Sequence, residues 1–400
     1  MTSPEREMLD SIAARDADMR ARLRAWAEVN SGTTNIAGIC RMRELAAEAL
    51  RPLADDIETR PLPPRKVVDN RGDVIEQPVG EALVATRRTN APRRILLCGH
   101  LDTVYAADSL FQQVREVDAN TWNGPGVADM KGGIVVMLEA LRAYEAHADA
   151  PLGWTVILNT DEEVGSPSST PLLHELARAH QFGMVFEPAL ADGRLAGARA
   201  GSANFDLVIR GRSAHVGREY DKGRSAIHLG AEATSLLAGL NAAEGVTINV
   251  GRIDGGGPVN QVADVAVVRM NVRVADSEKQ EAIENDLRRL TAVLNAREGY
   301  SAELHGAFFS PPKPLEGATQ RLFERVREAG SELGLSLSWT STGGVCDGNK
   351  LQAVGLPTVD TLGVRGGNLH SHEEFVLLDS LVERAQLSAL LLTRLGDVEG

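Results

Sequence analysis

Cys98-Gly99-His100-Leu101-Asp102-Thr103-Val104 closes the apolar run Ile95-Leu96-Leu97. That run is short and bounded, so it reads as a buried strand. Its end presents a histidine and, two residues on, an aspartate. Positions i and i+2 of an extended chain point to the same side. An imidazole and a carboxylate placed this way suit a metal ligand and the group that orients it. Taken alone, a His-x-Asp is a surface pair at a strand end, so the assignment depends on what the rest of the chain adds.

Outward from this strand, helical and extended patterns alternate. Apolar spacing predicts helices over Met8–Val29, Arg41–Leu50, Gly132–Tyr144 and Ser168–Arg178, with strands Thr155–Asn159 and Met184–Phe186. Alternating strands and helices imply a mostly parallel sheet flanked by helices. The pattern changes near Gly197. In Val265–Val274, Val268, Met270, Val272 and Val274 alternate with Arg269, Asn271 and Arg273. Period two means one wet and one buried face, as in an antiparallel sheet. Strands Asn204–Arg210 and Thr247–Ile253 and helices Ala226–Leu240 and Ser277–Leu294 fall in the same block. Helix Thr319–Leu333, strands Leu335–Trp339 and Thr358–Leu362 and helix Asp379–Leu395 then resume the first pattern. The expected fold is α/β: a discontinuous catalytic domain, residues 1–199 and 311–400, with an α+β insert at 200–310.

The chain has 400 residues, enough for two domains. Its net charge of −13 argues against nucleic acid and against an anionic membrane surface as partners. Cys40, Cys98 and Cys346 are far apart and form no CxxC, which fits a reducing compartment. The polar, acidic start Met1-Thr2-Ser3-Pro4-Glu5 carries no signal-peptide pattern, and no apolar run approaches membrane-spanning length. The expectation is a cytoplasmic protein.

Acidic and imidazole groups collect at the strand ends. His100 and Asp102 follow the first strand. Asp129 lies in Gly124-Pro125-Gly126-Val127-Ala128-Asp129-Met130-Lys131-Gly132-Gly133, opening a helix. Glu162 and Glu163 follow Thr155–Thr160, Glu187 follows Val185-Phe186, and His370 follows the strand ending at Leu362. Open α/β sheets build their sites outside the carboxyl ends of the strands. Two histidines with carboxylates and no thiolate pair form an N/O set for Zn²⁺ or a similar dication. One histidine and one terminal carboxylate per metal, with one shared aspartate, make a two-metal centre with spacing of about 3.5–4 Å. Glu162 is left over beside a ligand and suits a general base. His372 competes with His370 as the ligand. Arg199, before Gly201, is a further candidate substrate contact.

His100-Leu101-Asp102, Gly126-Val127-Ala128-Asp129-Met130-Lys131-Gly132-Gly133, Asp161-Glu162-Glu163-Val164-Gly165-Ser166, Phe186-Glu187-Pro188, Ser213-Ala214-His215-Val216-Gly217 and His370-Ser371-x-x-Glu374-Phe375 together resemble the signatures of the M20 metallopeptidases, in particular the glutamate carboxypeptidase (carboxypeptidase G) branch. The resemblance implies a dinuclear zinc catalytic domain and an inserted lid or dimerisation domain. It makes Asp129 the bridging ligand, with His100 and Glu187 on one zinc and His370 and Glu163 on the other. Through its His-Ser-x-x-Glu pattern it implies His370 rather than His372. Co²⁺ or Mn²⁺ are alternatives to zinc. Glu162 becomes the base that activates a bridging hydroxide, Asp102 the orienter of His100, and Asp129-Met130 a cis peptide. His215 becomes the histidine that reaches the partner subunit's site to stabilise the oxyanion, which implies a homodimer through the lid. Asn260 and Arg273 become the grip on the substrate carboxylate, a task a guanidinium performs bidentately. Cys346, where serine is usual, and Val216, where alanine is common, depart from the pattern and bear on specificity.

The expected activity is cleavage of the amide bond to a C-terminal amino acid, in a small peptide or N-acyl amino acid. An N-acyl amino acid deacylase or an aminotripeptidase is the alternative within hydrolases. A metal-dependent binding protein without turnover is the alternative outside them.

Overall fold

The strand Arg94–His100 alternates between two layers. Ile95 and Leu97 face one apolar cluster, Leu96 and Cys98 another. A strand buried on both faces needs helices on both sides, and a computed structural model, which describes residues 1–148 and 152–396, places them there. On one side lie helices Ser3–Ala13, Asp16–Ala27, Lys131–His147 and Asp379–Gly396; on the other lie Thr170–Arg178 and Asp347–Ala353. The sheet between them has six strands in the order Asp56–Arg60, Ala82–Arg87, Gly153–Asn159, Arg94–His100, Phe182–Val185, Thr358–Val359. The last four run parallel; Ala82–Arg87 pairs antiparallel to Gly153–Asn159, and Asp56–Arg60 antiparallel to Ala82–Arg87.

Several elements differ from the sequence expectation. The first helix is two, broken where Arg15 turns aside to hydrogen-bond Glu139, a buried carboxylate, at 2.8 Å. It begins early because Thr2 and Glu5 form a reciprocal capping box. Helix Thr170–Arg178 starts after Ser168 because the N–H groups of Ser168 and Ser169 donate to Asp161. Residues Leu335–Trp339 are not a strand; Trp339–Thr342 is, paired with Leu195–Arg199. A hairpin, Arg65–Val68 with Val74–Gln77, lies in a stretch to which the sequence reading assigned no element.

Residues 200–310 supply a four-stranded antiparallel sheet, ordered Val246–Gly255, Val265–Val274, Gly201–Arg210, Ser301–Ser310. Helices Ala226–Gly239 and Ser277–Asn295 cover one face, over Val268, Met270, Val272 and Val274. The other face carries Arg269, Asn271 and Arg273 and receives the hairpin. Val68 packs on Val208 and Val267, and Arg269 donates to the carbonyls of Val68 and Asp69 at 2.9 and 3.0 Å. The chain enters and leaves this segment side by side: Arg199 and Lys313 exchange backbone hydrogen bonds of 2.9 Å. Their side chains converge on buried Asp360, at 2.9 Å from Arg199 and 3.2 Å from Lys313.

Candidate metal centre

His100 ends its strand, and Glu162, Glu163 and Glu187 lie just beyond the parallel neighbours of that strand. Asp129 sits on the loop before helix Lys131–His147. The helix starts close against the sheet because Gly133 has no side chain; a Cβ there would lie 1.9 Å from the Phe186 carbonyl oxygen. Asp129-Met130 is cis, matching the peptide the resemblance implies. Buried Glu374 holds the loop: Oε1 accepts the N–H groups of Ala128 and Asp129 at 2.9 and 3.0 Å, and Oε2 accepts Gly126 N–H at 3.1 Å and the Tyr105 hydroxyl at 2.7 Å. His370 stands at a tight turn between the short strands Arg365–Gly367 and Phe375–Leu377, with φ +61°.

These elements bring five side chains into two clusters that share Asp129. In one, Nε2 of His100 lies 3.2 Å from Asp129 Oδ1 and 3.8 Å from Glu187 Oε1. In the other, Nε2 of His370 lies 3.3 Å from Asp129 Oδ2 and 3.2 Å from Glu163 Oε2. Within each cluster the candidate donor atoms all lie within 4.8 Å of one another. Asp102 ties the halves together. Its carbonyl faces His100 Nδ1 at 2.9 Å, while its carboxylate accepts the N–H groups of Glu162 and Glu163 at 3.2 and 3.3 Å and the Thr33 hydroxyl at 2.8 Å.

The electrostatics are those of crowded, buried carboxylates. Burial, reinforced by the Asp129 charge, pushes Glu163 up to about 7 and Glu187 up to about 8. Burial and then Glu187 push Glu162 well above the carboxylate range. Burial works against ionisation of Asp129 too, but hydrogen bonds from His100 and His370 outweigh it and hold the group below its usual range. So much negative charge behind low-dielectric walls calls for cations. The donors are nitrogen and oxygen in two open three-residue sets, which fits a pair of borderline or hard dications. Cys98 and Cys346 are buried with thiols pushed up by desolvation, and neither joins a cluster.

The remaining candidates fall elsewhere. His215 and Asn260 are neighbours on the exposed tip of the inserted segment, where Val216 N–H donates to the Asn260 carbonyl at 3.0 Å. Arg273, half-buried, donates to the Gly343 carbonyl at 2.9 Å, and Arg199 donates to the next carbonyl, Gly344, at 3.1 Å. Arg199 is otherwise occupied by Asp360. The sequence reading gave Glu374 no role, although it stood inside the quoted His370 motif. It also passed over Asp347 and Lys350, buried under the site at 2.9 Å from each other.

Family models match residues 96–394 to peptidase family M20/M25/M40, and the chain belongs to that family of hydrolases. Carboxypeptidase G2 of Pseudomonas sp. (strain RS-16) is 29% identical over 328 residues, covering 80% of this chain and 78% of the relative. A succinyl-diaminopimelate desuccinylase of Nitrosospira multiformis is 26% identical, covering 78% and 86%. Among solved structures, the aminopeptidase PepT of Bacillus cereus superposes with a TM-score of 0.70 at 22% identity, covering 94% of this chain and 98% of that one. The dipeptidase Dug1p of Saccharomyces cerevisiae gives 0.75 at 14% identity and covers each chain fully, at 100%. These two likenesses show the fold.

Proposed function

We propose that the protein is a dinuclear zinc hydrolase that cleaves the amide bond joining an acyl group or peptide to a C-terminal amino acid. The observation that carries this reading is the pair of three-donor clusters meeting at Asp129. His100, Asp129 and Glu187 would hold one dication, and Asp129, Glu163 and His370 the other. Bound there, the metals would supply Lewis acidity to the scissile carbonyl and acidify a water. Glu162 precedes the ligand Glu163, interacts electrostatically with His100 and Glu187, and has its backbone N–H held by Asp102. It takes the proton of the attacking water and returns it to the leaving amine nitrogen, the task of a general base turned general acid. Arg273 and Asn260 receive the substrate carboxylate. Arg199 contributes indirectly, by holding Gly344 beside the Gly343 carbonyl that Arg273 engages.

Residues 200–310 serve as the lid and the dimer contact, with His215 presented to the partner's site to stabilise the oxyanion. Its exposure next to Asn260 supports that role. Three free cysteines, and the lack of any helix among the described residues long and apolar enough to cross a membrane, support a cytoplasmic setting. The desuccinylase relatives favour a second reading, an N-acyl amino acid deacylase.

Metal analysis combined with a panel of N-acyl glutamates, aspartates and neutral amino acids tests the proposal. We expect two metal equivalents per chain, a requirement for the free C-terminal carboxylate, and tolerance of a blocked N-terminus. Turnover only of substrates with a free N-terminus would favour an aminotripeptidase. No turnover by fully metallated protein would favour a binding protein.

A further inference from the structure

The hairpin Arg65–Gln77 and the helix-free face of the inserted sheet enclose a groove of about 920 Å³, within the range of small-molecule sites. Val164, the residue after Glu163, Pro167 and Lys350, which pairs with Asp347, line it, so it lies beside the candidate metal centre, although none of the five candidate ligands forms its wall. Val67 and Phe309 give it apolar walls. The hairpin is clamped against the sheet by Arg269 and by Arg210, which donates to the Gly72 carbonyl at 2.9 Å, so the walls are set before any ligand arrives.

Two cations in this groove, Lys66 and Arg65, have no carboxylate partner among the described residues; Lys66 is exposed, and only Arg65 is shielded from water. Arg65 is half-buried at the hairpin base, where Nη2 donates to Oε1 of Gln77 at 2.7 Å. Among the described residues no carboxylate pairs with it, and burial draws its pKa down. Its charged neighbours Asp161 and Asp102 belong to the scaffold around Glu162 and Glu163 and are already hydrogen-bonded there. Arg269, by contrast, is satisfied by Asp206 and Asp254. In a chain of net charge −13, a half-buried guanidinium with free donors beside the site is a receptor for an anion.

We propose that Arg65 binds a carboxylate carried on the acyl side of the substrate, making the enzyme selective for amides whose acyl part is itself acidic. The inference deepens, and rests on, the hydrolase reading above. The acid has two possible sources: a dicarboxylic acyl chain, or an acidic residue preceding the scissile bond.

The test uses matched pairs. N-adipoyl-glutamate against N-hexanoyl-glutamate represents the first source, and acetyl-Glu-Glu against acetyl-Gln-Glu the second. Calorimetry on metal-loaded Glu162→Gln protein measures binding, and kcat/KM on the wild type measures turnover. The acidic member of at least one pair should bind and react roughly tenfold to a hundredfold better, the worth of a charged hydrogen bond. Arg65→Gln should erase that preference without changing the neutral member, and Arg65→Lys should restore part of it. Equal binding of both members in both pairs, or a preference that survives Arg65→Gln, overturns the proposal. Equal loss on acidic and neutral members in Arg65→Gln also overturns it, since that is a structural effect. A binding preference without any hydrolysis would count against the hydrolase reading and not against Arg65.

Discussion

The backbone N–H of Asp129 donates to Oε1 of Glu374 at 3.0 Å, so the residue shared by both clusters is held from behind by a carboxylate that touches neither. The same carboxylate takes Gly126, Ala128 and Tyr105. Glu374→Gln would point an amide N–H₂ at these donors. We expect metal affinity to fall by about 10–100-fold, the usual cost of losing such outer support, with the far-UV circular dichroism unchanged. Chelator competition measures it, and unaltered affinity would remove Glu374 from the site.

Glu162 contributes no donor atom to either cluster. Glu162→Gln should therefore retain its full metal complement while kcat falls by about 10²–10⁴-fold or more. Mass spectrometric metal analysis alongside single-turnover rates checks both halves.

The clusters share one residue and divide the other four. Asp129→Ala should lose both metals, whereas His370→Ala should lose one and keep the His100–Glu187 half occupied. Loss of a tightly bound ion lowers Tm, since ligand that binds only the native state stabilises it. Thermal melts with and without chelator should then show a large shift in the wild type, a smaller one in His370→Ala and none in Asp129→Ala.

Away from the site, Glu139 is buried on helix Lys131–His147 and accepts from Arg15 and Arg22 at 2.8 and 2.7 Å. Burial alone would raise its pKa, but the Arg15 hydrogen bond leads a set of arginine interactions that lowers it. A depressed folded pKa stabilises the protein above the unfolded value, about 4.3, and that stability is lost as pH falls through the folded value. Glu139→Gln should cost about 2–3 kcal/mol at neutral pH. In urea titrations the gap to wild type should close below about pH 4.

What was legible in the sequence was what lies at strand ends. His100, Glu163 and Glu187 are far apart in the chain, but each closes or follows a strand whose period is readable, and a parallel sheet gathers such ends at one edge; Asp129 was readable as the opening of a helix, and His370 only through its motif. The five-stranded sheet that carries the His370 turn was not legible, because strands as short as Thr121–Asn123 and Phe375–Leu377 hold too few residues to show alternation. The hairpin Arg65–Gln77 escaped for a different reason. Val68 is buried against Val208 and Val267, partners remote in sequence, so its own segment shows no covered face. The turn Asp69-Asn70-Arg71-Gly72, with Gly72 at φ +78°, was the available sign. Arg269 and Arg273 share a strand face, and the resemblance alone singled out Arg273; the fold locks Arg269 on Asp206 and Asp254, whereas Arg273 has no carboxylate partner among the described residues.

Since Arg199 and Lys313 are paired backbone to backbone, the two cut points of the intervening segment lie about one inter-strand step apart, roughly 5 Å. Two or three residues span such a gap, so the remainder of the chain can be spliced shut with little entropic penalty. The intervening piece is in that sense transplantable: a related enzyme could exchange it wholesale, altering recognition or assembly, while keeping all five candidate metal ligands and Glu162, which lie outside it.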